Sequence, residues 1–334
     1  MQYRTLGPSG IQASVVAFGA WAIGGWMWGG TNENDAVKAI HAALDSGINF
    51  IDTAPIYGFG ASEEILGRAI ADRREQIILA TKCGMVCDPH VGIEKFRSSA
   101  LGADPDGLID IHIYLGAKSI RDEVENSLRR LKTDYIDLLQ THWQETTTPI
   151  EETMGALVDL KDEGKIRAIG VSNATSQHMD EYRDYGMLDT DQEKFSMLDR
   201  QIEADQLPYC QQNNIAVLAY SPLAQGLLTG KMGPDREFAE GDVRRGNPRY
   251  SVENRQRVAS LLEEFKPIAE EHEITLTQLT IAWTIAQTGL THALCGARNP
   301  QQAQENAAAG DVRLTDSEIE HMNKAIERHY DAIV

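Results

Sequence analysis

The sequence predicts an α/β fold, a (β/α)8 or TIM barrel formed by residues 1–334 as a single domain. Short apolar runs alternate with amphipathic stretches along almost the whole chain, which is typical of parallel strands covered by helices. Eight such runs occur, the strand number of this barrel. The 334 residues are sufficient, because such barrels fold as one domain from roughly 250 residues upward. Alternation alone leaves an open, doubly wound sheet as the alternative.

The elements are predicted in chain order from the period of the apolar residues. An N-terminal β-hairpin around residues 3–11 precedes the barrel. The strands are predicted at residues 15–19, 48–51, 77–81, 136–141, 166–171, 190–192, 215–220 and 292–295. The helices between them are predicted at residues 35–45, 62–71, 119–131, 176–185, 204–213, 252–271 and 276–287, with one more opening at Thr148. Extra C-terminal helices are expected to begin at Asn299 and Thr315.

Capping patterns predict where several helices begin. Ser119, with a carboxylate three residues later, is expected to cap one helix, and Thr148 followed by Pro149 and Glu151 suggests a capping box with proline at the first helical position. Residues 83–118 and 227–251 exceed ordinary connections. Long loops at the active face of a barrel shape binding or act as lids.

Composition narrows the functional classes. The net charge of −19 argues against a nucleic-acid partner, since such proteins carry basic surfaces. No run of about 18 uncharged apolar residues occurs, so no membrane span is expected. The N-terminus lacks the charged-then-apolar order of a signal peptide. These features predict a cytoplasmic protein with a small-molecule partner, and they leave homo-oligomerisation open.

The four cysteines do not form a familiar metal or redox motif. Cys83 and Cys87 are four residues apart, which matches neither a thioredoxin motif nor a common zinc pair. The segment from Cys87 to His90 contains Asp88 and Pro89, which favour a turn over a metal site. We therefore predict free thiols and no metal.

Three successive strand ends carry side chains suited to proton transfer. Asp52 ends the second strand and Tyr57 follows five residues later; Lys82 and His142 end the next two strands. All carboxyl ends of barrel strands meet at one mouth. Lys82 is expected to favour the phenolate of Tyr57 and so to lower the pKa of this tyrosine; lowering it from about 10 by about 3 units requires roughly 4 kcal/mol. A proton donor beside a polarised carbonyl suits hydride addition, which requires a nicotinamide.

With these residues, the chain resembles an aldo-keto reductase over nearly its whole length. The motifs are Asp52-Thr53-Ala54-x-x-Tyr57-Gly58, Gly170-Val171-Ser172-Asn173, Tyr220-Ser221-Pro222-Leu223 and the segment from Gly296 to Asn306. Residues 58–64 most resemble those of bacterial sugar- and inositol-associated members. The resemblance implies reduction of an aldehyde or ketone, with a sugar-type aldehyde as the expected substrate. It also implies a catalytic tetrad of Asp52, Tyr57, Lys82 and His142, with Tyr57 as the general acid.

The resemblance further implies a nicotinamide site. It assigns the carboxamide to Ser172, Asn173 and Gln192, ring stacking to Tyr220, and the adenosine end to Arg298, Gln302 and Asn306. The complete set of implied cofactor residues is Trp21, Ser172, Asn173, Gln192, Tyr220, Ser221, Pro222, Leu223, Gly226, Lys231, Gly296, Arg298, Gln302, Glu305 and Asn306. Relatives often have Gln-Pro-Pro-Tyr where this chain has Gln192-Glu193-Lys194-Phe195, so the path of the loop after strand six stays open.

The residues themselves favour NADPH over NADH. The helix beginning at Asn299 offers free N–H groups and Arg298 stands beside its first turn, a combination that favours an anion such as a 2′-phosphate. Residues 226–231 resemble a P-loop but are one residue short and lack Ser or Thr after Lys231. NADH is the alternative cofactor.

The substrate is expected to contact Trp21, Tyr57, His142 and Trp143, since tryptophan rings can stack on a sugar. Two other functions are considered. One is a class I aldolase in which Lys82 forms a Schiff base. The other is a non-catalytic, nicotinamide-sensing subunit that binds a partner protein.

Overall fold

A computed structural model describes residues 1–99 and 108–333. Its strands are numbered β1 to β13 in chain order. They are β1 (Tyr3–Thr5), β2 (Gln12–Ser14), β3 (Val16–Gly19), β4 (Phe50–Asp52), β5 (Ile78–Cys83), β6 (Met85–Val86), β7 (Ile93–Ser99), β8 (Leu108–Ile113), β9 (Ile136–Thr141), β10 (Ile166–Ser172), β11 (Thr190–Lys194), β12 (Ala216–Tyr220) and β13 (Leu290–Gly296).

Eight of the described strands close into a parallel barrel, which confirms the predicted fold. The order around the barrel is β3, β4, β5, β9, β10, β11, β12, β13 and back to β3. Every neighbouring pair is parallel. The open doubly wound sheet is therefore wrong, because β13 pairs with β3 and leaves no free edge in the barrel.

The helices cover the outside of the barrel. They are α1 (Glu33–Asp45), α2 (Ala61–Ala69), α3 (Ala117–Leu131), α4 (Ile150–Asp162), α5 (Ser176–Tyr185), α6 (Gln206–Gln212), α7 (Val252–Glu263), α8 (Lys266–Glu271), α9 (Leu276–Ala286), α10 (Pro300–Ala308) and α11 (Asp316–Tyr330). None of these helices is both long and apolar enough to cross a membrane.

The predicted hairpin is present and closes the amino-terminal end of the barrel. β1 and β2 are antiparallel. Leu6 and Ile11, from the turn between them, pack with the barrel-interior residues Phe50, Leu138 and Leu218. Burying these side chains fills the bottom of the barrel, so the opposite end remains as the mouth.

Three predicted helix boundaries are wrong. Ser119 lies inside α3, which Gly116 caps, and its hydroxyl donates to Glu123. α4 begins after Pro149 without a side-chain cap. The predicted helix over residues 252–271 is two helices, α7 and α8, that separate around Phe265, because Pro267 cannot donate a helical N–H bond. Asn299 and Thr315 cap α10 and α11 as predicted.

Residues 83–118, predicted as a loop, contain an antiparallel sheet in their described part. β8 pairs with both β6 and β7. The predicted turn after Cys87 is present, since the His90 N–H donates to Asp88 Oδ1 over 2.9 Å. Phe96 of β7 stacks on Trp26, with ring centroids 6.1 Å apart. The small sheet therefore forms one wall of the barrel mouth. The rest of that predicted loop, residues 100–107, lies outside the described residues.

Candidate active site

The carboxyl ends of β4, β5 and β9 bring together the four residues predicted as a tetrad. Asp52 is the last residue of β4, Lys82 lies in β5 and His142 follows β9. Tyr57 lies in the turn after β4, where its N–H donates to Ala54 O over 3.1 Å. The following Gly58 has φ of +68°, and a Cβ there would lie 2.2 Å from Gly24 O. Glycine is therefore required for the turn that presents Tyr57.

Lys82 joins the carboxylate to the phenol. Its Nζ lies 2.6 Å from Asp52 Oδ1, 2.9 Å from Thr53 O and 3.4 Å from the Tyr57 hydroxyl oxygen. The Lys82 side chain is completely buried. The Tyr57 ring meets the His142 ring edge-on, with centroids 5.8 Å apart. The arrangement directs a buried ammonium at a phenol whose other neighbour is an imidazole.

Two glutamines hold Asp52 in place. Gln192 Nε2 donates to Asp52 Oδ2 over 2.9 Å, and Gln140 Nε2 is 3.3 Å from the same oxygen. The buried carboxylate thus has donors on both oxygens, which limits the cost of its burial. Sequence reasoning missed Gln140. Its signal was a polar residue two positions after the barrel-interior Leu138, since residues i and i+2 of a strand point to the same side.

Burial is the largest influence on the pKa values of Tyr57, Lys82 and His142. Burial raises the pKa of Tyr57, and the nearby Lys82 lowers it by less. The predicted net lowering of the tyrosine pKa is therefore wrong, although Lys82 acts in the predicted direction. Burial lowers the pKa of Lys82, but Asp52 and Tyr57 outweigh it, so the net shift is upward. Burial, aided by Lys82 and Lys95, holds the pKa of His142 well below 6.5. At neutral pH the phenol is protonated, the lysine charged and the histidine neutral.

A second hydrogen-bonded group lies across the mouth, at the ends of β10 and β12. Asn173 Nδ2 donates to His142 O and to Ser172 Oγ, each over 3.0 Å. Asn173 Oδ1 accepts from the Tyr220 hydroxyl over 2.9 Å. Asn173 has φ of +55°, a left-handed conformation that non-glycine residues adopt mainly at constrained sites. These contacts connect the candidate cofactor residues directly to the backbone of His142.

A cavity of about 740 Å³ extends from these groups to the start of α10. It is lined by Asp52, Tyr57, His142, Trp143 and all fifteen residues that the resemblance assigned to the cofactor. Lys82 lies behind it, covered by Asp52 and Tyr57. The volume falls in the range of small-molecule and cofactor sites.

The residues along this cavity fit an extended dinucleotide. Near β12, Ser221, Ala224 and Gln225 have φ between +45° and +56°, and such a strained non-glycine segment is typical of a ligand clamp. At the far end, the α10 N-terminus offers fewer free N–H groups than predicted, because Pro300 has none and the Gln302 N–H donates to Asn299 Oδ1 over 2.9 Å. Arg298 stands there, with its Nη2 donating to Gly30 O over 2.6 Å. Lys231 binds Glu305 over 2.6 Å.

Aromatic side chains line the other end of the cavity. Trp21 packs edge-on against Trp28, with centroids 5.2 Å apart, and lies 6.3 Å from the Tyr57 ring. Trp143 is covered by the Lys95 ammonium, 3.3 Å from its ring centroid. Phe96 also lines this end. Sequence reasoning missed Phe96, because its strand depends on pairing with β8.

The loops after β3 and β12 meet over the cavity. Trp28 and Asp242 form an antiparallel bridge. The Arg244 guanidinium lies 4.9 Å from the Trp28 ring centroid and binds Asp242 Oδ2 over 2.7 Å. Arg244 Nη1 also donates to Gln225 O over 3.1 Å. A ligand in the long arm of the cavity would therefore lie beneath this contact.

The molecule is a closed parallel (β/α)8 barrel whose mouth holds Tyr57 and Lys82 beside a long cleft. The chain belongs to the aldo/keto reductase family, whose model matches residues 15–327. It is 41% identical to the NADH-specific methylglyoxal reductase of Escherichia coli over 98% of this chain and 100% of the relative. It is 39% identical to the aldo-keto reductase YhdN of Bacillus subtilis over 98% and 94% of the two chains.

A solved structure has a similar fold. The glycerol dehydrogenase AKR11B4 from Gluconobacter oxydans aligns with a TM-score of 0.85 and 40% identity, covering 98% of this chain and 95% of that one. The predicted family is confirmed.

Proposed function

We propose that the protein reduces an aldehyde or ketone to an alcohol with a nicotinamide cofactor, and that Tyr57 donates the proton. The observation that carries this proposal is the protonated Tyr57 hydroxyl, 3.4 Å from the Lys82 ammonium, at the end of a cavity of about 740 Å³. The bound cofactor supplies the hydride. The chain supplies the proton, the orientation of the carbonyl and a site with little water.

Tyr57 and Lys82 have different roles in the proton transfer. The raised pKa of Tyr57, caused by burial, keeps its hydroxyl protonated and able to donate to the carbonyl oxygen. Lys82 then stabilises the phenolate that remains. Asp52 keeps Lys82 charged and in place through the 2.6 Å contact. His142, held neutral by burial, offers an N–H donor that orients the carbonyl without adding charge.

We propose that Asn173, Ser172 and Gln192 hold the nicotinamide end and that Tyr220 stacks on its ring. Arg298, Gln302, Glu305 and Asn306 line the adenosine end of the cavity. NADPH is the expected cofactor because Arg298 stands beside the first turn of α10. The Escherichia coli relative is NADH-specific by name, so the discrimination between the two cofactors is part of the test below.

The expected substrate is a short, hydroxylated aldehyde or ketone, the size of a small sugar. Trp21, Trp28 and Trp143 line the cavity, and tryptophan rings can stack on the C–H faces of a sugar. Cations already cover one face of Trp28 and one of Trp143, so stacking would use their other faces. The named substrates of two relatives, methylglyoxal and glycerol, support a compact polar substrate.

The direct test is Tyr57→Phe, assayed by single-turnover reduction of a panel of short aldehydes. We expect a loss of about 10²-fold or more in the chemical step, with cofactor binding kept. Retention of most of the turnover would remove Tyr57 from the proposed role. The matched control is Tyr185→Phe, because Tyr185 is exposed on α5 and far from the mouth.

Cofactor preference is tested with Arg298→Ala. If Arg298 contacts a 2′-phosphate, the dissociation constant for NADPH rises by about tenfold or more, while that for NADH changes little. An equal change for both cofactors would assign Arg298 to the loop contacts that it makes with Trp28 and Gly30.

The same protein and aldehyde panel also distinguish the proposed reductase from two other functions. A Schiff-base aldolase needs a neutral, accessible lysine, whereas Lys82 is buried, its pKa is raised and Asp52 keeps it charged. Borohydride trapping of an aldehyde on Lys82 would support the aldolase. A nicotinamide-sensing subunit would bind the cofactor without turning over any aldehyde of the panel.

A further inference from the structure

β11 carries two carboxyl groups on its outer side, directly behind the candidate nicotinamide site. Asp191 is completely buried and Glu193 is 7% exposed. They flank Gln192, which points into the barrel and contacts Asp52. Residues at i and i+2 of a strand point to the same side, so both carboxyl groups face the helices that cover the barrel.

Glu193 binds the segment that holds Asn173. Its Oε1 accepts from the Ala174 N–H over 2.7 Å, while the Asn173 N–H donates to Gln192 O over 3.1 Å. The Ala174 N–H belongs to the turn in which Asn173 adopts φ of +55°. An ionised acceptor makes stronger bonds to backbone N–H groups than a neutral one, so Glu193 stabilises this left-handed turn.

This turn positions the Asn173 side chain. Its amide bridges three groups of the mouth: His142 O, Ser172 Oγ and the Tyr220 hydroxyl. A shift of the turn would therefore move the carboxamide site and the backbone of His142 together.

Asp191 lies beside Glu193 on the outer side of β11. Its carboxyl group lies within hydrogen-bonding reach of Glu193. The Cys210 thiol of α6 approaches Asp191 Oδ2 at 3.9 Å, and Met179 of α5 lies 3.7 Å from that thiol. Neither carboxyl group is ion-paired with a cation in the part of the chain that the structure describes.

Two adjacent buried carboxylates without a cation cannot both stay ionised. As a carboxylate, Asp191 would leave its Oδ1 without a donor among the described residues. As a carboxylic acid, it instead supplies a hydrogen to Glu193. Burial and the neighbouring Glu193 raise the pKa of Asp191 well above its usual value. Burial also raises the pKa of Glu193, to about 7, but the hydrogen bond from the Ala174 N–H opposes this rise. The proton therefore resides on Asp191.

We propose that Glu193, supported by a hydrogen bond from protonated Asp191, is a positioning residue that holds Asn173 in its left-handed conformation and thereby determines cofactor affinity. The proposal rests on the proposed function, because it assigns Asn173 to the nicotinamide. Cofactor affinity would then depend on two carboxyl groups that do not line the cavity.

The test compares Glu193→Ala, Glu193→Gln, Asp191→Ala and Asp191→Asn with the wild type. The dissociation constant for NADPH is measured by fluorescence without substrate, followed by kcat and both KM values. Glu193→Ala is expected to weaken NADPH binding by about tenfold or more, because it removes the charged acceptor of the Ala174 N–H. Glu193→Gln keeps a neutral acceptor, so we expect a smaller loss of about three- to tenfold.

The two Asp191 variants test the shared proton. The asparagine amide can still donate to Glu193, so Asp191→Asn should bind NADPH within about threefold of wild type. Asp191→Ala removes that donor and should weaken binding more than Asp191→Asn does. The KM for the aldehyde should change less than the NADPH dissociation constant in every variant, because the substitutions act through the turn at Asn173 and neither residue lines the substrate end.

Amide hydrogen exchange provides a readout that is independent of the cofactor. In the free protein, the Ala174 N–H should exchange faster in Glu193→Ala than in wild type, and Asp191→Asn should preserve its protection. Glu181→Gln, an exposed change on α5, is the matched control and should alter neither quantity. Circular dichroism checks folding, and Glu193→Gln replaces Glu193→Ala if the alanine variant unfolds.

Unchanged NADPH affinity in both Glu193 variants would overturn the proposal. It would also fail if Asp191→Asn were as damaging as Asp191→Ala, since the hydrogen bond would then not explain the effect. Failure of the proposed function is distinguishable. In that case the wild type would bind no nicotinamide cofactor, while the exchange of Ala174 would still respond to Glu193.

Discussion

Replacing Lys82 by methionine should shift the pH dependence of the reverse reaction, alcohol oxidation, to higher pH. Oxidation requires Tyr57 as a phenolate, so its rate rises with pH through the pKa of Tyr57. Lys82 Nζ lies 3.4 Å from the phenol oxygen. At an effective dielectric constant of about 20, one charge at that distance stabilises the phenolate by about 5 kcal/mol.

This energy sets an upper limit on the expected rise in the pKa of Tyr57 in the Lys82→Met variant. At 1.36 kcal/mol for each pKa unit, 5 kcal/mol corresponds to about 3.7 units. Solvent entering the methionine variant would screen part of it, so we expect an upward shift of at least about one unit. Asp52 remains and also raises the pKa of Tyr57, which acts in the same direction.

The assay is the initial rate of alcohol oxidation with saturating cofactor, from about pH 6 to about pH 11. Because the pKa of Tyr57 is raised above its usual value of about 10, the wild type and the variant are compared on the rising part of their profiles. Single-turnover reduction at neutral pH should fall by about 10²-fold, as for loss of acid–base assistance. Lys82→Arg retains a cation and should shift the profile less. Lys38→Met removes an exposed charge on α1 and should leave the profile in place.

An unchanged pH profile in an active Lys82→Met variant would refute the assignment of Lys82 as the group that tunes Tyr57. The variant also leaves the buried Asp52 without its cation, which costs about 3–5 kcal/mol when one partner of a buried pair is removed. Thermal unfolding is therefore measured beside activity. The amides of Gln140 and Gln192 still reach Asp52 and reduce that cost.

The remaining predictions concern stability. Asp137→Ala should lower the free energy of unfolding by about 2–4 kcal/mol in urea titrations, because Asp137 accepts the Leu79 N–H over 2.9 Å and binds Arg167 over 2.6 Å; a loss below about 0.5 kcal/mol would contradict this reading. Burial lowers the pKa of His292 to about 4, so its contribution to stability is complete above about pH 6.5 and decreases by about 3 kcal/mol as the pH falls to 4. His292→Gln should flatten that dependence, and an equally steep curve would rule out His292 as its cause. Thr315→Ala removes the cap of α11 and should cost about 1 kcal/mol by thermal unfolding with little change in activity.

The positions of the candidate tetrad were predictable because strand ends of a barrel share one mouth. Asp52 and Lys82 lie in the last residues of β4 and β5, and His142 directly follows β9. Apolar runs predict strands whatever their partners are, and a closed parallel barrel leaves only one place for their carboxyl ends. The Asn299 and Thr315 caps were also predictable, because capping depends on a few consecutive residues.

The antiparallel sheet in the described part of residues 83–118 was not predictable from local pattern. β7 reads Ile-Glu-Lys-Phe-Arg-Ser-Ser, which contains too few apolar residues to indicate a strand. It forms because it pairs with β8 and because Phe96 packs on Trp26. The break between α7 and α8 was readable in principle from Pro267.

The sequence by itself determined the family, the barrel and the identity of the residues at its mouth, because strand periodicity and motif spacing are local properties. Only the tertiary structure decided their electrostatics. The pKa of Tyr57 is raised because burial outweighs Lys82, and Asp52 is held by Gln140 and Gln192 from two other strands. Desolvation depends on every atom that surrounds a group, so the balance between burial and charge emerges only when the barrel closes.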